Sequence, residues 1–202
     1  MAASASYGLR FDTGRVCLDL LATAGGRPGQ APVDRLDGPD RLRDWLRGAA
    51  LVPEGTPLDR VDGGWLSRFL TARDLLRRVV RAEWGGQATG ADLDRLNALA
   101  GSAPPAVRAV RTADGTLARI LGGPPDCGAL LALVARDAVD LLTDPVARGQ
   151  LRECAGERCS LLYLDTSHGR RRRWCSSEVC GNRARVARHR RRTGVRDAAP
   201  RA

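Results

Sequence analysis

A chain of 202 residues, 43% apolar and 28% charged, can bury one sizeable core and carry a small appendage, and it holds no apolar run near the roughly 18 residues a membrane span requires. Its net charge of +10 lies at one end: residues 1–150 carry 19 arginines against 18 acids, whereas residues 151–202 carry 14 against 5. Such a concentrated field attracts polyanions, and without a long apolar run no membrane is expected as a partner. All 33 basic residues are arginine, partly a mark of a GC-rich coding sequence, so the clustering carries the argument and the residue type does not. The first residues, MAASASYGLRFDTG, lack a basic start followed by an apolar stretch, and the expectation is a cytoplasmic protein.

In chain order, YGLRFD and RVCLDLLAT flank Thr13-Gly14, which predicts a short extended segment turning into a buried helix. Gly25 to Pro32 reads as a loop. Asp37 or Gly38 is placed to cap a helix opened by Pro39, with Leu42, Trp45 and Leu46 on one face and Pro53 as its stop. Trp65 to Trp84 is the longest periodic stretch: Leu66, Phe69, Leu70, Leu76, Val79 and Val80 trace a broad apolar stripe between two Gly-Gly pairs. A shorter helix, Ala91 to Ala100, follows. Residues 106–121 alternate apolar and polar positions on both sides of Asp114-Gly115, the one clear β-hairpin signal. Pro125 opens a helix through about Leu142, and Pro145 stops or bends it. The fold class expected is mainly α: a helical domain over residues 1–145 with one hairpin, then a small unit of short strands and a C-terminal helix over 150–193, then a mobile tail over 194–202.

Four cysteines define that small unit. Cys154 and Cys159, then Cys175 and Cys180, form two C-x4-C hooks separated by fifteen residues. Tetrahedral zinc needs four soft or imidazole ligands converging at about 2.0–2.3 Å, and paired cysteines on two short turns supply them. About 40 residues with so few large apolar side chains need such a staple. Paired disulfides are the competing staple, and the absence of an export signal argues against them. Four thiolates leave no open coordination position, so a bound zinc ion is structural. His168 and His189 are substitute ligands that the pattern does not need. Cys17 and Cys127 read as small buried residues.

Around the hooks, SLLYLD (160–165) reads as a strand and Thr166 to Gly169 as a turn releasing the chain into Arg170, Arg171, Arg172, Arg173 and Trp174. Ser176 or Ser177 then caps a helix running to about Arg192, with Glu178 in its first turn. Cys180, Ala184 and Ala187 share one face; Arg185, Arg188 and Arg192 share another. Between Arg170 and Arg196 the only acid is Glu178, so a solvated face with local partners is the weaker reading and a polyanion the stronger. Duplex DNA suits a helix with arginines, and RNA is the alternative, with Tyr163 and Trp174 as stacking groups.

These residues resemble a known family. Cys175 followed by Cys180-Gly181-Asn182-Arg183, and preceded by Leu164-Asp165 and Arg173-Trp174, is similar to the CGNR zinc finger over roughly residues 150–193. In that family the finger follows a helical domain called ABATE, and its members are described as bacterial stress-induced transcription regulators; the resemblance implies DNA binding. On the same footing, Gly181 is expected to let backbone approach the Cys180 sulfur, Asn182 to bond the knuckle, and Arg183 to reach a phosphate or Asp165. The ABATE opening signature, Leu-Asp-aromatic-x-Asn-Thr, corresponds to Leu18-Asp19-Leu20-Leu21-Ala22-Thr23, with Ala22 in place of the asparagine. The expectation is a zinc-dependent, DNA-binding regulator whose first domain senses a signal or forms a homodimer. A zinc-stabilised protein-interaction module is the rival, and no enzyme motif is present to support catalysis.

Overall fold

Short polar side chains set where the long helices begin. The computed structural model describes residues 8–25, 33–157 and 159–196, the last six as backbone alone. Asp62 accepts from the Trp65 amide at 3.0 Å and opens the helix Gly63–Gly85. Thr89 does the same for Gly90–Gly101, and Asp126 for Cys127–Thr143. In chain order the helices are α1 (Val16–Leu21), α2 (Pro39–Gly48), α3 (Gly63–Gly85), α4 (Gly90–Gly101), α5 (Cys127–Thr143), α6 (Pro145–Gln150) and α7 (Asn182–Arg196). The strands are β1 (Ala24–Gly25), β2 (Val33–Asp34), β3 (Val107–Arg111), β4 (Leu117–Leu121), β5 (Leu151–Glu153) and β6 (Leu162–Leu164), paired as three separate antiparallel ribbons. No helix among the described residues is long and apolar enough to cross a membrane.

The mainly helical expectation holds, and several boundaries move for local reasons. Asp126 caps α5, so Pro125 stays outside the helix it was expected to open. Pro145 starts the short helix α6, because Asp144 accepts from the Val146 amide at 2.8 Å and provides a fresh cap. The hairpin β3–β4 turns at Gly115 as expected, but two further ribbons, β1–β2 and β5–β6, accompany it. Residues 26–32 of the expected loop lie outside the described residues. The C-terminal helix continues to Arg196, so residues 194–196, expected in the tail, are helical; residues 197–202 lie outside the described residues. A single glycine, Gly194, costs only about 1 kcal/mol, and the arginine-rich run around it has good helix propensity.

One core joins the two ends of the chain. Its centre is α3 and α5, with α1 laid across both and Trp45 meeting Phe69 edge-on at 6.0 Å. Asp137 on α5 accepts from the Cys17 amide at 2.9 Å and supplies the cap that Arg15 cannot. Cys17 and Cys127 are buried, and burial pushes both thiols up, that of Cys127 to about 11, which suits inert packing residues. The unexpected contributor is the C-terminal ribbon. Side chains alternate along β6, so Leu162 and Leu164 enter the helical core beside Leu151, while Tyr163 points the other way among the clustered cysteines. Leu151, Leu162 and Leu164 of segment 150–193 thus share the helical core.

The strap before α1 completes this junction. The Leu164 amide donates to the Thr13 carbonyl at 2.8 Å, and Gly14 has φ +94° with space for a side chain closed off 3.1 Å away by Leu164 Cβ. Both facts demand glycine. Gly14→Ala is expected to lower stability by about 1–3 kcal/mol, read as a fall in Tm, and to increase amide exchange at Leu164.

Beneath the strap, Asp19 is buried with its carboxylate accepting from the Thr13 amide at 3.2 Å and the Thr13 hydroxyl at 2.8 Å. Burial pushes its pKa up to about 6 despite those bonds. The folded state thus holds this proton more tightly than the unfolded chain, so stability falls as pH rises between about 4 and 6 and the loss is complete at neutral pH. Asp19→Asn retains an acceptor for Thr13 and has no charge to bury. Thermal melts of the two proteins are expected to diverge in favour of the variant at pH 7–8 and to converge near pH 4.

Candidate metal centre

The first hook turns at Gly156, where the Cys159 amide donates to the Gly156 carbonyl at 2.9 Å. The second hook is less regular. Ser176 accepts from the Val179 amide at 3.1 Å, as expected of a cap, but the next turn, Ser177–Gly181, is π-helical: the Gly181 amide reaches back five residues to the Ser176 carbonyl at 2.9 Å. The extra residue in that turn rotates Cys180 inward before α7 begins at Asn182.

The four sulfurs of Cys154, Cys159, Cys175 and Cys180 all lie within 4.8 Å of one another, with Cys175 3.8 Å from Cys159 and 3.6 Å from Cys180. Sulfurs at 2.3 Å from a tetrahedral zinc stand about 3.8 Å apart, so the donor set fits this ion. Three of the cysteines are buried and Cys159 is half-buried. Among the described residues, this is the grouping of three or more metal-type ligands that the fold assembles, and neither histidine belongs to it. Four thiolates this close repel one another. Hydrogen bonds from Cys159 and Cys175 hold the Cys154 thiol far below its ordinary value, and the same bond drives Cys159 far above it. Cys180 is pushed up to about 12, by burial first and by the Cys175 charge second. A soft divalent cation resolves that conflict by taking all four as thiolates.

Peptide groups and one distant arginine orient the sulfurs. The Cys175 amide donates to Cys154 Sγ at 3.3 Å. Arg10, on the strap before α1, donates to Cys175 Sγ at 3.0 Å and to the Cys175 carbonyl at 2.7 Å, while Asp12 holds its other edge at 2.7–2.9 Å. Sequence reading missed Arg10, because its partner lies 165 residues away and no spacing rule connects them.

The expected arginines fall into distinct environments. Arg170, Arg171 and Arg173 are exposed on the loop between the hooks, Arg170 with a positive φ of 50°. Arg172 is turned inward and departs from its expected role. Its guanidinium lies 4.5 Å over the Tyr163 ring and donates to the Trp174 and Cys175 carbonyls, while its amide donates to the buried Asp165. It braces the second hook because Tyr163 and the free carbonyls of the bend offer a desolvated seat for a planar cation. On α7, Arg183, Arg185 and Arg188 are exposed, Arg185 reaching back to the Ser177 carbonyl at 3.3 Å. The Arg192 side chain lies outside the described residues. Arg190, not singled out from the sequence, shares with Arg183 and Arg188 the lining of a groove between the first hook and α7. Its signal was present as the i+7 position from Arg183.

Residues 14–145 match the family model ABATE, described as "Putative stress-induced transcription regulator", and residues 150–193 match the CGNR zinc finger. The chain belongs to the ABATE family. No curated protein matches it. Within the CGNR tetrapeptide, Gly181 is buried beside Trp174, where an added Cβ would stand 3.4 Å from the indole and 3.6 Å from the Ser176 carbonyl oxygen. Asn182 and Arg183 are exposed at the start of α7, and Asp165 is satisfied by the Ser167 hydroxyl and amide and by the Arg172 amide. In the ABATE part, Thr23 donates to the Leu20 carbonyl at 2.6 Å and accepts from the buried Arg73, which pairs with Asp34. Ala22, at the asparagine position, is buried.

The bond from Arg10 yields a direct test. Arg10→Met keeps apolar bulk and removes both donors to Cys175. Titration of the zinc-loaded protein against a chromophoric chelator is expected to show a roughly ten- to hundredfold loss of zinc affinity.

Proposed function

We propose that the protein is a DNA-binding transcription regulator, with residues 1–145 as a sensing or dimerisation domain and residues 150–193 as a zinc finger that delivers arginines to phosphates. One observation carries this reading: Arg170, Arg171, Arg173, Arg183, Arg185 and Arg188 are exposed on a scaffold that one four-sulfur centre organises, with Glu178 the only acid between Arg170 and Arg196. The family description, a stress-induced transcription regulator, is in keeping with a nucleic-acid partner. A four-thiolate zinc site has no open position for substrate, which favours a regulator over an enzyme, and a reducing cytoplasm suits its thiols. RNA is the second reading, favoured by the half-buried Trp174 beside the arginines.

Two sets of variants separate the scaffold from the binding groups. Cys175→Ser with Cys180→Ser abolishes zinc stoichiometry, and hydrogen exchange is expected to rise beyond residue 165 while Leu151, Leu162 and Leu164 stay protected in the helical core. Arg171→Gln with Arg188→Gln leaves zinc content and Tm unchanged. It lowers duplex affinity and reduces the slope of log K against log salt by about 0.9 for each phosphate that is no longer neutralised. Unchanged affinity and slope would remove DNA binding through these arginines.

A further inference from the structure

Beside the metal centre the first hook and α7 face each other across a groove of about 530 Å³. Its walls are apolar: Ala155 and Gly156 on the hook, Val186 and Ala187 on the helix, and the half-buried indole of Trp174. Four arginines, Arg173, Arg183, Arg188 and Arg190, line it against one acid, Glu157, so its charge is net positive. The Arg173 guanidinium lies 5.2 Å from the Trp174 ring, so an aromatic plane and a stacked cation stand together at the groove. Val186, six residues after Cys180, is exposed at 43%, so this apolar wall is open to solvent.

A duplex offers phosphates to the arginines but nothing to the walls. Its base faces are stacked on one another, and a double helix is far too wide to enter a space of this size. A groove of several hundred cubic ångströms is the size of small-ligand sites, ample for one nucleotide. A planar apolar body carrying an adjacent anion matches both parts of this site at once, and an unpaired nucleotide within a strand is that body. We propose that the groove between the first hook and α7 binds an unpaired nucleotide of single-stranded nucleic acid, its base against Trp174 and its phosphates on Arg173, Arg183, Arg188 and Arg190. This rests on the nucleic-acid reading above and deepens it: the finger distinguishes melted from paired strands.

The test uses the full zinc-loaded chain and four labelled probes at one salt concentration: a ten-residue oligodeoxythymidine, the matching oligouridine, an abasic strand with the same number of phosphates, and a duplex. Base stacking on an aromatic is expected to make the thymidine strand bind roughly ten- to hundredfold tighter than the abasic strand. It also quenches a part of the tryptophan emission that is missing in Trp174→Phe. That variant keeps a planar ring and retains most of the preference. Trp174→Leu, checked for zinc stoichiometry, binds the base-bearing and abasic strands alike; Arg190→Gln weakens both equally. The oligouridine arm decides whether the strand is DNA or RNA, and tight binding of either supports the groove. Equal affinity for base-bearing and abasic strands, a preference for duplex at equal phosphate number, or no effect of Trp174→Leu overturns the groove while leaving the arginine reading standing. Failure of all four probes overturns both. Stronger binding of an acidic amphipathic peptide in the same groove, displacing the thymidine strand, also overturns the proposal.

Discussion

At Cys175 the sulfur faces those of Cys159 and Cys180 at 3.8 and 3.6 Å, the amide donates to Cys154, and the carbonyl takes both Arg10 and Arg172. Metal coordination, backbone bend and the tie between the two parts of the chain therefore converge on one residue. Four thiolates in this volume need a cation, and once it is bound the chain on both sides of residue 175 has little freedom left. The loop that carries Arg170 to Arg173 and the turn that launches α7 are the two segments so restrained. Every exposed guanidinium in the proposed interface inherits its direction from that restraint.

A second constraint acts from the opposite side. β6 is three residues long, yet its alternation divides it between two cores, Leu162 and Leu164 toward the helices and Tyr163 toward the sulfurs. The strap at Arg10 to Gly14 and Arg81 on α3, which reaches Glu153 at 3.1 Å and the Ser160 carbonyl at 2.7 Å, add polar ties across the same boundary. A change of packing around α1 or α3 thus meets the finger through bonds already made.

Among the arginines, exposure and shared charge are not the same as shared role. Arg172 sits in the middle of a run of four, and its neighbours in sequence are solvent-facing, but the Tyr163 ring and the carbonyls of the bend draw it inward. Arg10 belongs to the nearly neutral part of the chain and still donates to a proposed metal ligand. Conversely Arg190 joins the groove lining because α7 turns through two periods from Arg183.

Local chemistry was legible without coordinates. Hook spacing announced a four-sulfur centre, Asp114-Gly115 a hairpin, and the stripe from Leu66 to Val80 a long buried helix, because each depends on residues within a few positions of one another. Tertiary structure alone decided that β5 and β6 complete the helical core, that Gly14 sits against Leu164, that Arg10 reaches Cys175, and which arginines face inward. Those outcomes compare the desolvation and pairing of groups up to 165 residues apart, a competition no local pattern can encode.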